Sequence, residues 1–337
     1  MSALAIVAEN IWNDLDVDAK LNAPLGPLTW YRSGGHAQVL ISPRTIDALQ
    51  ILCARCHQNG IALRVLGSGA NVLVADDGVD GVVVRLDAPA FQLIAWQEKT
   101  SDQPTRIGAG VAVMALVQES PRRAVTGLSH LAGIPATVGG AVRMNAGGAY
   151  GDTAQSIHSI ELLTMSGEIR HIPAAQLCFA YRHCELPDGI IIAANWMLTP
   201  GDGAAIRKHV LEVFEYKSRT QPMADHSAGC MFKNPIDPAT GQRTSAGRLI
   251  DLAGLKGHEI GGAFVSQMHG NFIGLKTGGA ANDVLALAVD VQQRVFDHSG
   301  ILLEREVVVW SESLSQVGTH GCKPAWTTVG QQRGEIR

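Results

Sequence analysis

The stretch Gly127-Leu-Ser-His-Leu-Ala-Gly-Ile-Pro-Ala-Thr-Val-Gly-Gly-Ala-Val-Arg-Met-Asn-Ala-Gly-Gly-Ala-Tyr-Gly151 stands out in this chain for its density of small residues. Seven of its 25 residues are glycine, and Arg143 is the only one with a formal charge. A backbone with few side chains can approach a ligand closely, and its N–H groups can donate to an anion. The composition therefore favours a site for a phosphate or a pyrophosphate.

A flexible linker is the alternative interpretation of this glycine-rich stretch (residues 127–151). Linkers are polar and rich in serine, whereas Leu128, Leu131 and Val138 require burial. The two commonest nucleotide loops are excluded as well, because the chain contains neither Gly-Lys-Ser/Thr after a glycine-rich loop nor a GxGxxG sequence. We therefore expect a buried loop of another dinucleotide-binding type.

Residues 132–147, followed by Ala149-Tyr150-Gly151, resemble the flavin-binding signature of the UDP-N-acetylenolpyruvoylglucosamine reductase (MurB) family. The resemblance extends from about Tyr31 to Trp310 and is to the shorter branch, which lacks an insertion with a tyrosine-bearing loop. It implies an α+β protein with an FAD-binding fold of the vanillyl-alcohol-oxidase-like (PCMH) type. Two α/β subdomains form that fold, and a small C-terminal α/β domain for the substrate follows.

A second glycine loop, residues 67–71, lies between strands predicted at residues 61–66 and 72–75. It resembles the pyrophosphate loop of the same flavin fold. We expect a large residue at Gly139 to abolish FAD binding, because its Cβ would occupy the space of the pyrophosphate. The resemblance implies the following FAD-binding residues: Gly67, Ser68, Gly69, Ala70, Asn71, Val72, Gly133, Ile134, Pro135, Thr137, Gly139, Gly140, Asn145 and Gly147.

Three further sequences match the catalytic landmarks of the family in order: Tyr181-Arg182, Gly229-Cys-Met-Phe-Lys-Asn-Pro235 and Leu303-Glu-Arg-Glu-Val307. They imply that NADPH reduces FAD and that a hydride then reaches the vinyl carbon of UDP-N-acetylglucosamine enolpyruvate, a step of peptidoglycan precursor synthesis. Arg182 would hold the substrate carboxylate, with Glu306 as an orienting or proton-sharing partner, and Cys230 would protonate the adjacent carbon. By residue type alone, these three could be a surface ion pair, a surface carboxylate and a core thiol.

The resemblance also implies substrate contacts at Tyr150, Tyr181, Lys233 and Asn234. Lys217 and Arg219 lie in a basic segment that either holds the UDP phosphates or forms a solvated helix end. The chain departs from the family pattern at three places: Ser129, the extra Gly148, and His183-Cys184. These departures affect the identity of the substrate more than the binding of FAD.

Composition restricts the class of partner. With 337 residues, 46% of them hydrophobic, the chain can bury a large core in two or three domains. A net charge of −4 provides no basic surface for nucleic acid, and no apolar run reaches the ~18 residues of a membrane helix. Six cysteines are too few for a disulfide scaffold, and the N-terminal residues lack a secretory signal. We expect a cytoplasmic monomer that binds a UDP-sugar, with no nucleic acid, membrane or metal partner.

The predicted organisation has four parts: an N-terminal arm (1–28), an FAD-binding domain (29–202), a C-terminal substrate domain (203–312) and a flexible tail (313–337). The first twenty residues are expected to form a loosely attached helix or an extended arm. A helix opened by Ser42-Pro43 carries Cys53 and Cys56 on its apolar face, so this CxxC is interpreted as core and not as a metal site. In the C-terminal domain, strands are predicted at residues 260–265 and 301–310.

Two other functions are compatible with these patterns. Residues 32–36, Arg-Ser-Gly-Gly-His, are spelled like the covalent-flavin motif of berberine-bridge-type oxidases, although that motif occupies the place that residues 67–71 have here. A flavin oxidase or reductase of the same fold with another substrate is therefore one alternative. A flavin-binding protein without turnover is the other, and the joint presence of Arg182, Cys230 and Glu306 argues against it.

We predict that each chain binds one FAD non-covalently. The purified protein should be yellow or gain flavin absorbance when incubated with FAD, and acid precipitation should leave the flavin in the supernatant. A protein that stays colourless after incubation contradicts the prediction. Flavin retained on the pellet would indicate covalent attachment and favour the oxidase.

Overall fold

The computed structural model describes residues 11–97 and 103–311. The first five strands are β1 (Val17–Pro24), β2 (His36–Pro43), β3 (Leu63–Val65), β4 (Val72–Val74) and β5 (Val79–Val84). Four of them form a mixed sheet in the order β1-β2-β5-β3, in which only β1 is antiparallel to its neighbour. The strand β4 lies outside this sheet and pairs with a strand at residues 308–310, as described below.

Helix α1 (Ile46–Gln58) follows β2. It begins at Thr45, whose Oγ1 accepts a backbone N–H of the first turn at 3.1 Å, and the chain leaves it through Gly60 at φ +63°. The helix buries Cys53 and Cys56, and this burial raises the pKa of both thiols to about 12. The interpretation of the CxxC as core is confirmed. Among the described residues, no group of His, Cys, Asp or Glu side chains could hold a metal ion.

The N-terminal segment is attached more firmly than the sequence predicted. The Trp12 side chain is only 6% exposed and lies in the main core. The strand β1 is extended and pairs with β2 along its length, from Val17 opposite Pro43 onward. The expectation of loose attachment is therefore wrong for residues 11–20, because a buried indole and the pairing of β1 with β2 hold them. Residues 1–10 lie outside the described part of the chain.

A second, five-stranded antiparallel sheet completes the N-terminal unit, in the order β11-β10-β14-β7-β6. The strands β10 and β11 of this sheet form a hairpin. Two short hairpins, β8-β9 and β12-β13, lie outside the sheet. The bounds are β6 (Ile94–Ala95), β7 (Thr105–Gly108), β8 (Gly147–Gly148), β9 (Gly151–Asp152), β10 (Ile157–Thr164), β11 (Ile169–Pro173), β12 (Cys178–Ala180), β13 (His183–Glu185) and β14 (Gly189–Trp196).

Three helices cover this part of the molecule: α2 (Val113–Arg123), α3 (Val138–Arg143) and α4 (Gly203–Thr220). The glycine-rich stretch contains α3, which contacts β7 and β14. Helix α4 contacts α2, and its Val213 belongs to the main core. The helix therefore packs with the first unit, and the second core begins after it, later than the predicted boundary at residue 203.

The C-terminal unit has its own core, built by helices α5 (Ala246–Leu252) and α6 (Ala281–Ser299) on a sheet of β15 (Glu259–Ile260), β16 (Ala263–Val265) and β17 (Ile273–Leu275). The strand predicted at residues 260–265 is wrong, because Gly261 at φ +56° turns the chain back between β15 and β16. Only the end of the predicted strand 301–310 is extended, as β18 (Val308–Trp310). It pairs in parallel with β4, with Val308 opposite Val72.

The two units are thus joined by a strand pair as well as by the chain. No helix in the described ranges is long and apolar enough to cross a membrane. The predicted tail, residues 313–337, lies outside the residues that the structure describes.

We predict that Trp12→Ala destabilises the protein by roughly 3–5 kcal/mol, because it empties a buried aromatic site. Urea unfolding of the FAD-saturated protein measures the loss. Leu21→Ala is the matched control on β1, since the Leu21 side chain is 67% exposed, and it should have little effect. Equal stability of Trp12→Ala and the wild type would show that the N-terminal segment is loosely attached after all.

Candidate active site

The two glycine loops predicted from the sequence lie against each other. The Ser68 hydroxyl donates to the Pro135 carbonyl at 2.5 Å. A Cβ on Gly67 would come within 2.7 Å of Thr137 Oγ1, so a side chain at this position would displace the start of α3. Residues 67–71 and the beginning of α3 therefore form one continuous surface.

This surface fits the pyrophosphate of a dinucleotide. Among the described residues, no protein acceptor receives a hydrogen bond from the N–H groups of residues 67–71. A Cβ on Gly140 would meet only Thr137 Oγ1, at 3.3 Å, and otherwise open space. Unpaired backbone donors beside bare backbone make an anion-binding concavity. The residues present here could hold FAD.

Gly139 does not face that surface. A large residue there was expected to abolish FAD binding by filling the space of the pyrophosphate, and that reason is wrong. A Cβ on Gly139 would lie 3.1 Å from Ala109 Cβ and 3.7 Å from the Ile191 carbonyl oxygen. Its N–H donates to the Ala109 carbonyl at 2.9 Å. Gly139 thus allows α3 to pack closely on the sheet, while Gly140 faces the open side. Both positions require a small residue, for different physical reasons.

Asn145 uses its side chain within the protein. It is 3% exposed and has a left-handed backbone, with φ +40°. Its Oδ1 accepts from the Ala154 N–H at 3.0 Å, and its Nδ2 donates to the Ala180 carbonyl at 3.0 Å and to Asp152 Oδ2 at 3.3 Å. A buried amide paired in this way holds the end of the glycine-rich stretch against the β12-β13 hairpin. Both of its amide protons are used, so it presents no free donor to FAD.

Arg182 lies at the tip of the β12-β13 hairpin, where Ala180 pairs with His183. Its backbone is left-handed, with φ +58°, which costs a residue other than glycine about 1–2 kcal/mol. Two side-chain contacts offset this strain. Nη1 donates to the Gly147 carbonyl at 2.7 Å, and Nε lies 2.7 Å from Glu306 Oε1 in an ion pair. The Arg182 guanidinium therefore extends from a strained turn and contacts a carboxylate of the C-terminal unit.

Glu306 and Cys230 complete this group from the C-terminal unit. The Glu306 N–H donates to the Met231 carbonyl at 2.8 Å, and Asn71 Nδ2 donates to the Glu306 carbonyl at 3.2 Å. Burial raises the pKa of the Glu306 carboxyl, against the opposing effect of Arg182. Burial, and then the charge of Glu306, raise the pKa of the Cys230 thiol to about 12. The thiol therefore keeps its proton at neutral pH, and it lies within the electrostatic reach of both Arg182 and Glu306.

Three of the predicted substrate residues meet beside this group. The Asn234 N–H donates to the Tyr181 hydroxyl at 3.4 Å, and Asn234 Oδ1 accepts from the first N–H of α5 at 3.0 Å. Lys233 Nζ pairs with Glu304 Oε1 at 2.6 Å. The Arg243 guanidinium covers the Tyr181 ring at 4.1 Å. Sequence analysis missed Arg243, because nothing in its local sequence distinguishes it from a surface arginine.

The other predicted substrate residues lie on helix α4 or pack against it. Tyr150, at the tip of the β8-β9 turn, packs edge-on against Tyr216 with 5.6 Å between ring centroids. Lys217 is 7% exposed and donates to the Ala132 carbonyl at 2.6 Å. Burial, followed by the charge of Arg182, lowers the pKa of Lys217 to about 8. The interpretation as a solvated helix end is wrong for Lys217, whereas Arg219 is exposed and is not brought into this group.

Comparison with known proteins identifies the family. Residues 221–310 match the family description "UDP-N-acetylenolpyruvoylglucosamine reductase, C-terminal domain", and residues 37–173 match "FAD binding domain". A UDP-N-acetylenolpyruvoylglucosamine reductase of Myxococcus xanthus is 39% identical over 291 residues, which cover 86% of this chain and 91% of the relative. One of Anaeromyxobacter dehalogenans is 41% identical over 294 residues, 86% of this chain and 85% of the relative. The chain belongs to the UDP-N-acetylenolpyruvoylglucosamine reductase family.

The fold agrees with that assignment. The crystal structure of the family member from Thermus caldophilus superposes with a TM-score of 0.73 at 37% identity and covers 88% of this chain and 99% of that one. The FAD-binding domain followed by a MurB C-terminal domain, expected from the sequence, is therefore confirmed as the class of fold. The resemblance carried by the glycine-rich stretch is confirmed with it.

Two of the three departures from the family pattern lie together in the structure. Ser129 Oγ is 2.9 Å from Nδ1 of His209 on α4. Gly148 belongs to the β8-β9 turn, whose Tyr150 ring packs against the same histidine with 6.0 Å between centroids. The third departure, His183-Cys184, lies in β13 beside Arg182. Gly148 pairs with Gly151 in this tight turn, and the carbonyl of the preceding Gly147 accepts from Arg182 Nη1.

The buried amine of Lys217 makes stability depend on pH. Its pKa is about 8 in the folded chain against 10.5 in the open chain. Between these values the unfolded chain binds more protons than the folded chain, so this amine makes stability rise with pH. Below pH about 8 the Lys217 amine is charged in both the folded and the unfolded chain, and the folded chain then bears the full free-energy cost of burying that charge.

We predict that the stability difference between Lys217→Met and the wild type shifts in favour of the wild type as pH rises from 8 to 10. The shift should be at most about 1.4 kcal/mol per pH unit. Urea unfolding of the FAD-saturated proteins at several pH values measures it. Lys208→Met on the same helix is the control, because the Lys208 side chain is 80% exposed, and its difference from the wild type should not change with pH. A constant difference for Lys217→Met would refute a lowered pKa.

Proposed function

We propose that this chain reduces UDP-N-acetylglucosamine enolpyruvate to UDP-N-acetylmuramate, with non-covalent FAD and with NADPH as co-substrate, in peptidoglycan precursor synthesis. The observation that carries the proposal is the ion pair of Arg182 and Glu306, 2.7 Å apart, which contacts both glycine loops through Gly147 and Asn71 and has the protonated thiol of Cys230 within its electrostatic reach. Reduction of an enolpyruvyl ether needs a carboxylate anchor and a proton donor in one place. The names of the relatives agree with this reaction.

Residues 67–72 and 133–140 would hold FAD, with the neighbouring Asn145 and Gly147 supporting this surface. The chemistry that FAD would supply there is the transfer of a hydride from NADPH to the vinyl carbon of the substrate. The protein's own residues must then stabilise the negative charge that develops on the adjacent carbon and its carboxylate, and must protonate that carbon.

Arg182 binds the substrate carboxylate. A guanidinium presents a fixed fork of donors that matches a carboxylate, and the contacts with Gly147 and Glu306 hold this fork in place before substrate arrives. A preorganised cation in a partly buried site stabilises developing charge without having to reorganise. Glu306 orients Arg182 and, because burial raises the pKa of its carboxyl, it can also share a proton.

Cys230 donates the proton to the carbon next to the carboxylate. A pKa of about 12 keeps the proton on sulfur at neutral pH, and a developing carbanion is a strong enough base to take it. The thiolate left behind is stabilised by Arg182, the nearby cation that lowers the pKa of this thiol. One hydride and one proton add across the double bond, and a solvent proton then restores the thiol.

The remaining contacts position the UDP-sugar. Tyr181, Lys233 and Asn234 form one side of the site, and Tyr150 of the β8-β9 turn packs against Tyr216 of α4. Lys217 supplies a buried positive charge, which favours an anionic group such as the diphosphate. The exposed Arg219 is assigned to the same phosphates only by the resemblance. We further propose that the enzyme is a cytoplasmic monomer.

The competing functions differ in their predicted half-reactions. An oxidase with covalent flavin receives no support from His36, which is exposed at the start of β2. A flavin-binding protein without turnover would not need the strained backbone of Arg182. The flavin absorbance is followed while the FAD-loaded protein is mixed with NADPH and then with the enolpyruvyl substrate. The two changes distinguish the proposed reductase from an enzyme with another substrate and from a flavin-binding protein without turnover.

We predict that NADPH bleaches the flavin absorbance and that UDP-N-acetylglucosamine enolpyruvate restores it. In Arg182→Lys the restoring step should slow by a factor of ~10² or more, because a point charge cannot reproduce the bidentate grip, while bleaching by NADPH stays nearly normal. Arg170→Lys, a change of an exposed arginine on β11, is the control and should behave as the wild type. Equal damage to both steps would reject the role of Arg182, and failure of the substrate to restore absorbance in the wild type would reject the function.

A further inference from the structure

The side chain of Asn271 is buried behind the segment that carries Cys230. It is 2% exposed. Its Oδ1 accepts from the Phe232 N–H at 2.9 Å, and its Nδ2 donates to the Phe232 carbonyl at 2.7 Å. The Asn271 carbonyl also accepts from the Met231 N–H at 2.8 Å. A single residue thus pairs three backbone groups of residues 231 and 232, and two of those bonds come from its side chain.

The opposite edge of the same segment is held by the chain around Glu306. The Met231 carbonyl accepts from the Glu306 N–H at 2.8 Å. Cys230 itself pairs with Phe272, the residue after Asn271, in a single antiparallel bridge. The peptide that carries the thiol therefore lies between Asn271 on one side and the carboxylate partner of Arg182 on the other.

Gly229, the residue just before Cys230, has no side chain to pack. Its φ is +77°, and a Cβ placed on it would meet nothing within 4 Å. The nearest anchors of the thiol are therefore the buried Ala228 on one side and the contacts of residues 231 and 232 on the other. Asn271 acts to lower the pKa of the Cys230 thiol, against the larger raising effects of burial and Glu306.

We propose that Asn271 is a positioning residue for Cys230, acting through the backbone of Met231 and Phe232. This inference rests on the proposed function, in which Cys230 supplies the proton. A proton donor must stay within hydrogen-bond reach of the carbon that it serves. A displacement of ~1 Å can cost roughly 10²-fold in rate.

The test is a double-mutant cycle with Asn271→Asp. This change keeps the shape of the side chain and the acceptor for the Phe232 N–H, but it removes the donor to the Phe232 carbonyl. Flavin reoxidation by UDP-N-acetylglucosamine enolpyruvate should slow by a factor of ~10 to 10² at saturating substrate, while KM and flavin reduction by NADPH stay nearly unchanged. The double variant with Cys230→Ala should be no slower than Cys230→Ala alone, because residues that act as a unit are not additive.

The proposal is overturned if the rate losses of N271D and of Cys230→Ala multiply in the double variant. It is also overturned if N271D slows both half-reactions equally. Leu287→Ala is the control for general destabilisation, since Leu287 lies in the core of the same unit, and it should leave the ratio of the two half-reactions unchanged. If N271D loses FAD, the measurements are repeated with N271S, whose smaller side chain leaves room for water at Phe232. Loss of FAD in both variants would show that Asn271 supports the fold as a whole, which also overturns the proposal.

A second readout does not depend on turnover. Iodoacetamide labelling of Cys230, followed by mass spectrometry across pH, reports the thiolate fraction of this thiol. N271D should slow labelling at every pH at which it is measurable, because it places a negative charge against the segment that carries the thiol, and a nearby negative charge disfavours the thiolate. If the wild-type flavin is not reoxidised by the substrate, the proposed function is wrong, and the labelling still decides whether Asn271 acts on Cys230. Unchanged labelling would show that the side chain at residue 271 does not affect the surroundings of the thiol and would overturn the proposal.

Discussion

The ion pair between Arg182 and Glu306 is the contact on which the arrangement of the candidate site depends. Its partners come from different units of the protein, and each is largely buried. Removing two charges from water is costly, and their attraction compensates only when the geometry is good and the remaining groups are paired. The Gly147 carbonyl on Arg182 Nη1 and the Asn71 amide on the backbone of Glu306 meet part of that requirement. Gly147 and Asn71 both belong to the glycine loops, so the charge pair and the dinucleotide surface support each other.

Local patterns in the sequence predicted the parts of this arrangement that depend on local physics. The glycine density of residues 127–151, the GSG loop between two strands, and the amphipathic helix with Cys53 and Cys56 on its buried face all appear in the structure. Each of these rests on backbone freedom or on periodicity, which are properties of a short segment. The pairing of the two loops through Ser68 and Pro135 also agrees with the idea that both serve one ligand.

Features that depend on distant partners were not predictable from the sequence. Nothing local tells that Gly139 faces Ala109 while Gly140 faces outward, or that Arg243 covers the ring of Tyr181. The apolar run before Trp310 indicated a long strand, but only its last three residues form a strand, and Arg305 makes a single bridge to Phe232. Lys217 belongs to a polar segment, and its burial follows from the position of α4 against Ala132. In each case a contact far along the chain overrides the local preference.

The parallel pair of β4 and β18 has a consequence for the order in which the protein is made. Residues 67–71 lead directly into β4, and Glu306 leads directly into β18. During synthesis β4 emerges long before its partner, so it waits with an unpaired edge, a state that favours association with other chains. The dinucleotide loop and the acid of the charge pair are fixed together only when residues 308–310 have left the ribosome. A nascent chain can therefore join its two glycine loops early but gains the charge pair late, and shielding of the unpaired edge of β4 falls to the rest of the folding chain or to a chaperone.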